Sequence, residues 1–532
     1  MDWAALPLEP LESILGMLEF KDRLTCTLVC RSWNDALFSC PALATRIALV
    51  IGDVYENFPE VIIRHSKRNY RQLSVELNKS ESNSKISRCL VNAFERCNIQ
   101  CISLFGKVNP VFECFQQHAA LFGSITELNL ELAMDQAVSL NAEHEYVLGQ
   151  LRKFHYLQLY SGSAPACVAV RLSAPNLESA AIALESLTDE ESLYREGPLL
   201  ELKGCSWLKS LEVDLKGRMW ENFFSIERPC LERLLLRRAS DESEEYDWDK
   251  LFGNMPGLRD VEMVFSNDAM LTSLRRNCRK LEKLTLNGFR FEDGSFADNM
   301  NMISLTELHM DGRLRSVLYS KQSTLRLNNM NKLVWNYVKF SRVQYIFVID
   351  APRLASVTIR WCDYRRLQLR PGSHLESIDM DYYGNQTVTP NFFSASLDHL
   401  RCVTLYINSS SLILVGQMAN FLCLKQLEIV CSTVNRSYDC SALFGSICLS
   451  CLGLEELTVR NEHENQLTVE YTHLTQLVHL THLKQLTLQY ITITNVSSEM
   501  KLAHRVRTNV KGCTAVDSSG MQTRFPIEMI ID

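Results

Sequence analysis

Glycine and proline are scarce in this chain, 21 and 14 among 532 residues, which excludes a collagen-like or Pro/Gly-rich low-complexity polymer. Long apolar runs are missing as well: no stretch approaches the roughly 20 residues that span a bilayer. Met1-Asp2-Trp3 lacks the basic start and apolar stretch of a secretory signal, so a cytoplasmic or nuclear protein is expected. Neither sign of charge dominates, with 55 Lys and Arg against 62 Asp and Glu and a net charge of -7. That balance gives no footprint for nucleic acid or for an anionic membrane. Motifs of chemistry are absent too. There is no G-x-x-x-x-G-K-[ST] to cradle a phosphate, no H-E-x-x-H and no G-x-S-x-G. A nucleotide-driven switch and a hydrolase are therefore both disfavoured, and no catalytic residue and no cofactor is expected.

Cysteine, by contrast, is abundant, at 19 residues. In a long chain without a secretory signal the thiols stay reduced, so residues such as Cys278, Cys423 and Cys448 read as small core hydrophobes. Cys448-Leu449-Ser450-Cys451 is a lone C-x-x-C without the second ligand pair of a zinc site. His473, His479 and His482 likewise have no ligand-type partner nearby in sequence, and no metal is expected.

What the chain does have is the composition of a folded protein, 46% hydrophobic and 22% charged. It opens with three short helical patterns. Leu11, Ile14, Leu15 and Leu18 follow the i, i+3, i+4, i+7 spacing of one helix face. Pro10 falls in the first turn, where the missing N–H has no helical partner to lose. Asp22 is placed to cap a second helix carrying Leu24 and Leu28. Val29, Trp33 and Leu37 make the stripe of a third, and Pro41 closes the segment. So small a unit exposes much apolar surface, and a partner is expected to cover part of it.

The spelling L-P-x-E-x-L-x-x-I-L-x-x-L, then D-R-L, L-V-C-R-S-W-N-x-x-L and C-P-x-L, resembles an F-box. The resemblance implies docking onto the Skp-type adaptor of a cullin–RING ubiquitin ligase, with the rest of the chain selecting the substrate. Carried over position by position, it assigns Leu6, Pro7, Ile14, Leu18, Leu28, Val29, Cys30 and Trp33 to the adaptor-facing or core positions. The plainer reading of the same residues is a three-helix cap on a repeat domain.

Beyond this segment one phrase recurs, apolar-x-x-apolar-x-apolar. Clear copies start at Leu208, Leu231, Leu281, Leu305, Leu354, Leu400, Leu424, Leu454 and Leu483. Weaker ones start at Tyr70, Ile99, Ile125, Phe154, Leu177, Leu258, Met330 and Leu375. These seventeen units average about 26 residues, within the leucine-rich-repeat range. Spaced apolar residues of such a strand are buried only by stacking on the next copy. Helical spacing leads into some strands, as at Met270, Leu271, Leu274 and Cys278, or at Phe112, Phe115, His118 and Leu121. Other units are too short for a full helix and are marked instead by Ala174-Pro175-Asn176-Leu177 or Ala351-Pro352-Arg353-Leu354. The Asn or Cys that follows the strand after two intervening residues is nearly absent, with only Asn408 and Cys362 matching. The whole resembles the irregular repeats of F-box/leucine-rich-repeat proteins. The expected fold is α/β: a three-helix F-box over residues 1–45, a leucine-rich-repeat α/β solenoid, or horseshoe, over 46–490, and a cap or tail over 491–532.

Because neighbouring strand residues point to opposite faces, the positions between the apolar ones define the exposed, concave face. Acidic residues outnumber Lys and Arg there, among them Glu127 and Glu131, Glu212 and Asp214, Asp260 and Glu262, Glu307 and Asp311, Asp379 and Asp381. They form a candidate surface for a protein substrate with a basic segment, the alternative being solvated strand charges without a partner. Glu242, Glu244, Glu245, Asp247 and Asp249 read as a solvated acidic loop, whereas Lys501, His504, Arg505, Arg507 and Lys511 make the tail basic. Two functional classes follow: the non-catalytic substrate-recognition subunit of an SCF-type ligase, or a repeat scaffold whose F-box recruits no ligase.

Overall fold

A computed structural model of the chain describes residues 7–18, 22, 25–26, 29–40, 48–51, 70–77, 83–134, 144–160, 170–186, 200–214, 228–237, 247–264, 268–289, 300, 302–314, 323–340, 347–360, 367–381, 399–407, 423–431, 440–462, 467–496, 506–517 and 519–524. It divides into two compact units, Met1–Leu258 and Arg259–Asp532.

The first unit begins with α1 (Leu8–Met17) and α2 (Arg31–Ser39). Pro7 is the N-terminal boundary residue of α1 and its carbonyl accepts the Leu11 N–H at 3.2 Å. Pro10 is thus inside the first turn, as its chemistry requires. Leu11 and Leu15 of α1 and Ala36 and Leu37 of α2 are fully buried, each leucine contributing about 1.5–3 kcal/mol of apolar burial. Between the helices Asp22, Thr25 and Cys26 are helical; Leu24 and Leu28 of the expected middle helix lie outside the described residues.

The rest of this unit comprises β1 (Ala48–Ile51), β2 (Gln72–Leu77), α3 (Asn83–Arg96), β3 (Cys101–Lys107), α4 (Val108–Phe122), β4 (Glu127–Met134), β5 (His144–Val147), β6 (Lys153–Tyr160), β7 (Val170–Ser173), β8 (Ser179–Ser186), β9 (Leu200–Lys203), β10 (Ser210–Asp214), β11 (Arg233–Arg237) and α5 (Trp248–Gly253). In parallel and in sequence order, β1, β2, β3, β4, β6, β8, β10 and β11 pair into one sheet. A second, smaller parallel sheet is formed by β5, β7 and β9. Sequence dictates this by its period of two: Leu73, Val75 and Leu77 are buried while Gln72, Ser74 and Glu76 are half-buried. Register is held because a slip by one residue would turn every leucine outward.

Two expectations change in detail. Phe154 pairs with Leu128 and Tyr156 with Leu130, so the unit placed at Phe154 begins three residues earlier, at the buried Leu151. A strand also precedes the first copy of the phrase: Leu49 and Ile51 of β1 pair with Leu73 and Val75.

A hydrogen-bonded seam runs along the strand starts. The carbonyl of Arg71 accepts the N–H groups of both Gln100 and Cys101, at 2.8 and 3.0 Å. The Gln100 carbonyl then accepts Thr126 and Glu127, that of Thr126 accepts Arg152 and Lys153, that of Arg152 accepts Glu178 and Ser179, and the series continues through Lys209 and Glu232. Each unit therefore hands two donors to its predecessor, leaving no orphan amide at the bend. Gly106 sits where a side chain has no room: its φ is +141° and a Cβ would fall 2.2 Å from the Leu77 carbonyl oxygen.

The second unit repeats the plan with β12 (Asp260–Val264), α6 (Asp268–Asn277), β13 (Lys283–Phe289), β14 (Glu307–Leu314), β15 (Ser323–Arg326), β16 (Lys332–Phe340), β17 (Phe347–Ala351), β18 (Ser356–Arg360), β19 (Leu367–Pro371), β20 (Ser377–Asp381), β21 (Cys402–Ile407), β22 (Gln426–Cys431), α7 (Cys440–Ser450), β23 (Glu456–Asn461), β24 (Leu467–Glu470), α8 (Tyr471–Thr475), β25 (Gln485–Gln489), β26 (Ile491–Val496), β27 (Arg507–Lys511), β28 (Thr514–Asp517) and β29 (Gln522–Arg524). The long parallel sheet runs β12-β13-β14-β16-β18-β20-β21-β22-β23-β25-β27. Beside it β15, β17 and β19 form a second sheet, and β24, β26 and β28 a third that ends in the antiparallel β29. Strand pairing thus continues past residue 490, where the sequence shows no further copy of the phrase. The same seam recurs, with steps from 21 residues (Ala355 to Glu376) to 30 (Lys425 to Glu455).

Helical and short units divide as their spacing dictates. Met270, Leu271 and Leu274 on α6 and Cys278 just after it, in the segment that leads into β13, are all buried. In α4 the buried set is Val108, Pro110, Val111, Phe112, Cys114, Phe115 and Phe122; the helix is kinked at His118, and Leu121 beyond it is half-buried. At Pro175-Asn176 and Pro352-Arg353 a tight turn replaces the helix, with Leu177 N–H bonded to the Ala174 carbonyl and Leu354 N–H to that of Ala351. Asn408 and Cys362 lie outside the described residues.

Candidate functional site

Helix α1 carries two apolar stripes. Leu11 and Leu15 face the core, whereas Pro7, Pro10, Ile14 and Met17, spaced three, four and three apart, form a second stripe along an outward face. Pro7 and Pro10 are exposed, Ile14 is half-buried and Met17 is 83% exposed. Of the other residues the F-box resemblance assigns, Leu18, Cys30 and Trp33 are half-buried and Val29 is 57% exposed. Leu6 and Leu28 lie outside the described residues. Met17 is the residue the sequence reading passed over, although counting back from it in steps of three and four gives the whole stripe. On the other side, the ring of Phe38 meets Tyr70 edge-on at 5.5 Å, tying α2 to the lead into β2.

Several of the acidic residues singled out on the strands have charged or polar neighbours. In the first unit Glu212 pairs with Arg237 at 3.0 Å and Asp214 is buried; Glu127 is half-buried and Glu131 exposed. In the second unit Asp260, Lys283, Glu307 and Lys332 are mutually in register, so the charge alternates across four strands. Lys283 approaches Asp260 to 3.9 Å, and His309 approaches Glu307 to 3.9 Å. Burial, then Lys332 and Lys283, lowers the His309 pKa. Glu262 accepts from the Asn287 amide at 3.4 Å, and burial raises the Asp311 carboxyl. Asp381 is in register with Tyr406, and its side chain lies outside the described residues.

The densest arrangement is centred on Tyr406 of β21. Arg360 of β18 lies 4.6 Å above its ring and Arg460 of β23 lies 5.7 Å from it. Arg360 holds both oxygens of Asp379, Nε to Oδ1 at 3.2 Å and Nη2 to Oδ2 at 2.5 Å. Arg460 donates from Nε to Glu428 at 2.7 Å and from Nη2 to the Tyr406 hydroxyl at 3.3 Å. Two cations and two carboxylates thus fix one aromatic ring on the sheet face, all partly exposed. Arg360, Tyr406 and Arg460 each follow the last apolar residue of their copy of the phrase, so the column was present in the sequence. It stayed hidden because the units had not been aligned by strand register. A tally of acidic residues by column misses the arginines two residues along the neighbouring strand that neutralise them.

Charge also alternates along the seam, at the residue before each strand: Arg152, Glu178, Lys209 and Glu232 in the first unit. Arg152 reaches Glu178 at 3.8 Å, and in the second unit Arg259 reaches Glu282 at 2.7 Å. Glu455 is held by Lys425 at 2.6 Å and by Lys484, which lowers its carboxyl to about 2. Of the predicted acidic loop, Asp247 caps α5 by accepting the Lys250 N–H at 3.0 Å and Asp249 lies in the first turn of that helix; Glu242, Glu244 and Glu245 lie outside the described residues.

The thiols sort by burial. Cys278, Cys448 and Cys451 are buried, and burial pushes Cys278 and Cys451 up to about 12. Cys423, expected in the core, is exposed, because it occupies the turn before Leu424 rather than an inward strand position. Among the described residues no group of three or more His, Cys, Asp or Glu is placed to hold a metal ion, and no helix is long and apolar enough to cross a membrane.

Residues 3–49 match the F-box-like family model. The chain is also similar to a solved structure described as a TLR13–ssRNA13 complex, at 13% identity and a TM-score of 0.31, over 88% of this chain and 81% of that one. No curated protein is significantly similar to the chain in sequence.

Proposed function

We propose that this chain is the non-catalytic substrate-recognition subunit of an SCF-type ubiquitin ligase. The observation that carries the reading is the coincidence of the F-box-like match over residues 3–49 with a solvent-facing apolar stripe on α1. Pro7, Pro10, Ile14 and Met17, together with Val29 and Trp33, are the surface a Skp-type adaptor covers; Leu11, Leu15 and Leu37 form the buried side of the helices. Burying an exposed Met and its apolar neighbours gives such a contact its affinity. The repeats then hold the substrate, and the Tyr406 cluster is the most organised part of the sheet face for that role. Where its carboxylates are paired, as at Glu212, Asp379 and Glu428, that face offers a substrate mixed rather than purely negative charge. In this reading the ligase chemistry belongs to the cullin–RING partners, and the chain works by raising the local concentration of substrate lysines.

Capture of purified Skp-type adaptor by the full chain tests this. Ile14→Asp with Met17→Asp abolishes capture without loss of thermal stability. An adaptor that ignores the intact chain leaves the scaffold reading in its place.

A further inference from the structure

On the seam edge of the first unit, Gln150, Arg152, Asn176, Glu178, Trp207 and Lys209 line a cleft of about 270 Å³. Trp207 is 60% exposed there, on the turn ahead of β10. A surface tryptophan of this exposure has a large apolar face and an N–H donor to offer a partner. Its surroundings are fixed rather than loose. Asn176 anchors its turn by donating to the Gly149 carbonyl at 2.6 Å, and the seam hydrogen bonds of Glu178 and Lys209 hold the neighbouring strand starts.

The charges are unequal. Two cations, Arg152 and Lys209, face one carboxylate, Glu178. Arg152 approaches Glu178 only to 3.8 Å, with both side chains more than half exposed, and the Lys209 ammonium has no ion pair among the described residues. In a chain of net charge -7 this is a local positive spot beside an aromatic face.

We propose that this cleft docks an acidic peptide segment of a protein partner. One carboxylate sits between Arg152 and Lys209, and an adjacent apolar side chain lies on the Trp207 indole, while Gln150 and Asn176 hydrogen-bond the peptide backbone. The excess of cationic donors selects carboxylate over amine, and the indole selects a neighbouring Leu or Phe. This surface is separate from the α1 stripe, so adaptor capture and peptide binding fail independently.

Fluorescence anisotropy of the full chain with labelled twelve-residue peptides tests it. The probes are one alternating Glu and Asp with Leu and Phe, one with Lys in place of each acid, and a single-stranded oligonucleotide of uridines. The acidic peptide is expected to bind and the Lys peptide not to. Trp207→Ala, and separately Arg152→Glu with Lys209→Glu, weaken binding at least about tenfold while the melting temperature stays unchanged; Trp207→Phe retains most of it. Raising the salt weakens the wild type and not the charge-reversed variant. Equal binding by wild type and variants, no binding of the acidic peptide at millimolar concentration, or a preference for the oligonucleotide overturns the proposal.

Discussion

Arg360 and Asp379, 19 residues apart in the chain and on adjacent strands, meet through two hydrogen bonds, with the arginine's other face on the ring of Tyr406. The pair is partly exposed, at 36% and 23% for the two side chains, so water screens much of its attraction. A double-mutant cycle of Arg360→Ala and Asp379→Ala, read by urea unfolding, is expected to give a coupling of about 1 kcal/mol. Tyr406→Phe removes only the hydrogen bond with Arg460 and costs less than Tyr406→Ala. A coupling near zero would mean that the Arg360–Asp379 hydrogen bonds add nothing to stability.

The two stripes of α1 separate stability from recognition. Leu15→Ala opens a cavity in a fully buried site and is expected to destabilise the first unit by about 2–5 kcal/mol. Met17→Ala leaves stability unchanged, since that side chain is almost wholly in solvent. Thermal unfolding of both variants checks this directly.

Gly106 and Gly149 make a matched pair. Alanine at 106 drives a Cβ into the Leu77 carbonyl at a φ of +141°, whereas at 149 nothing lies within 4 Å. Gly106→Ala is expected to cost more than about 1–3 kcal/mol, because the strand must shift as well as strain; Gly149→Ala is close to neutral. Comparison of their unfolding midpoints decides it.

Glu455 gives a pH signature. Hydrogen bonds from Lys425 and Lys484 lower its folded pKa from the ordinary 4.5 to about 2. The contribution is therefore complete above pH 4.5 and fades as the pH falls through the folded value. The difference in melting temperature between wild type and Glu455→Gln should hold from pH 7 to 4.5 and shrink below that. A difference that vanishes by pH 5 would rule out the lysine clamp.

Thiol labelling separates core from surface. Cys114, Cys278 and Cys451, each pushed up to about 12 by burial, should resist iodoacetamide at pH 8 in the folded protein and react once it is unfolded. Cys423, in its exposed turn, should label at once. Peptide mapping of the labelled sites reads both outcomes.

Most of the strand plan was legible because leucine spacing and burial are one phenomenon in a stacked sheet: Leu281, Leu284 and Leu286 must all point inward or none can. The pattern misled at Phe154, where aromatic residues fill the inward sites and the leucines at 157 and 159 took their apparent place. It was silent at β27, whose inward positions are Thr508 and Val510. The helical segment was readable for the same reason in another period, Leu11 and Leu15 being one turn apart. The Tyr406 cluster was not, since it depends on which residues become neighbours across strands roughly twenty to fifty positions away in sequence. Pairing of that kind is a property of register, and register emerges only when the units are laid side by side.

The two-donor hydrogen bonds at the strand starts, among the described residues, fix where a unit begins and leave its length open. Steps as short as 21 and as long as 31 residues satisfy the same pair of amides, because the surplus is taken up on the opposite edge, as a helix, a short strand or a turn. Insertions placed there, away from the fastened edge, lengthen a loop without altering the address of any side chain on the sheet. The chain is therefore free to change its outline on one side while the other keeps a constant typeface.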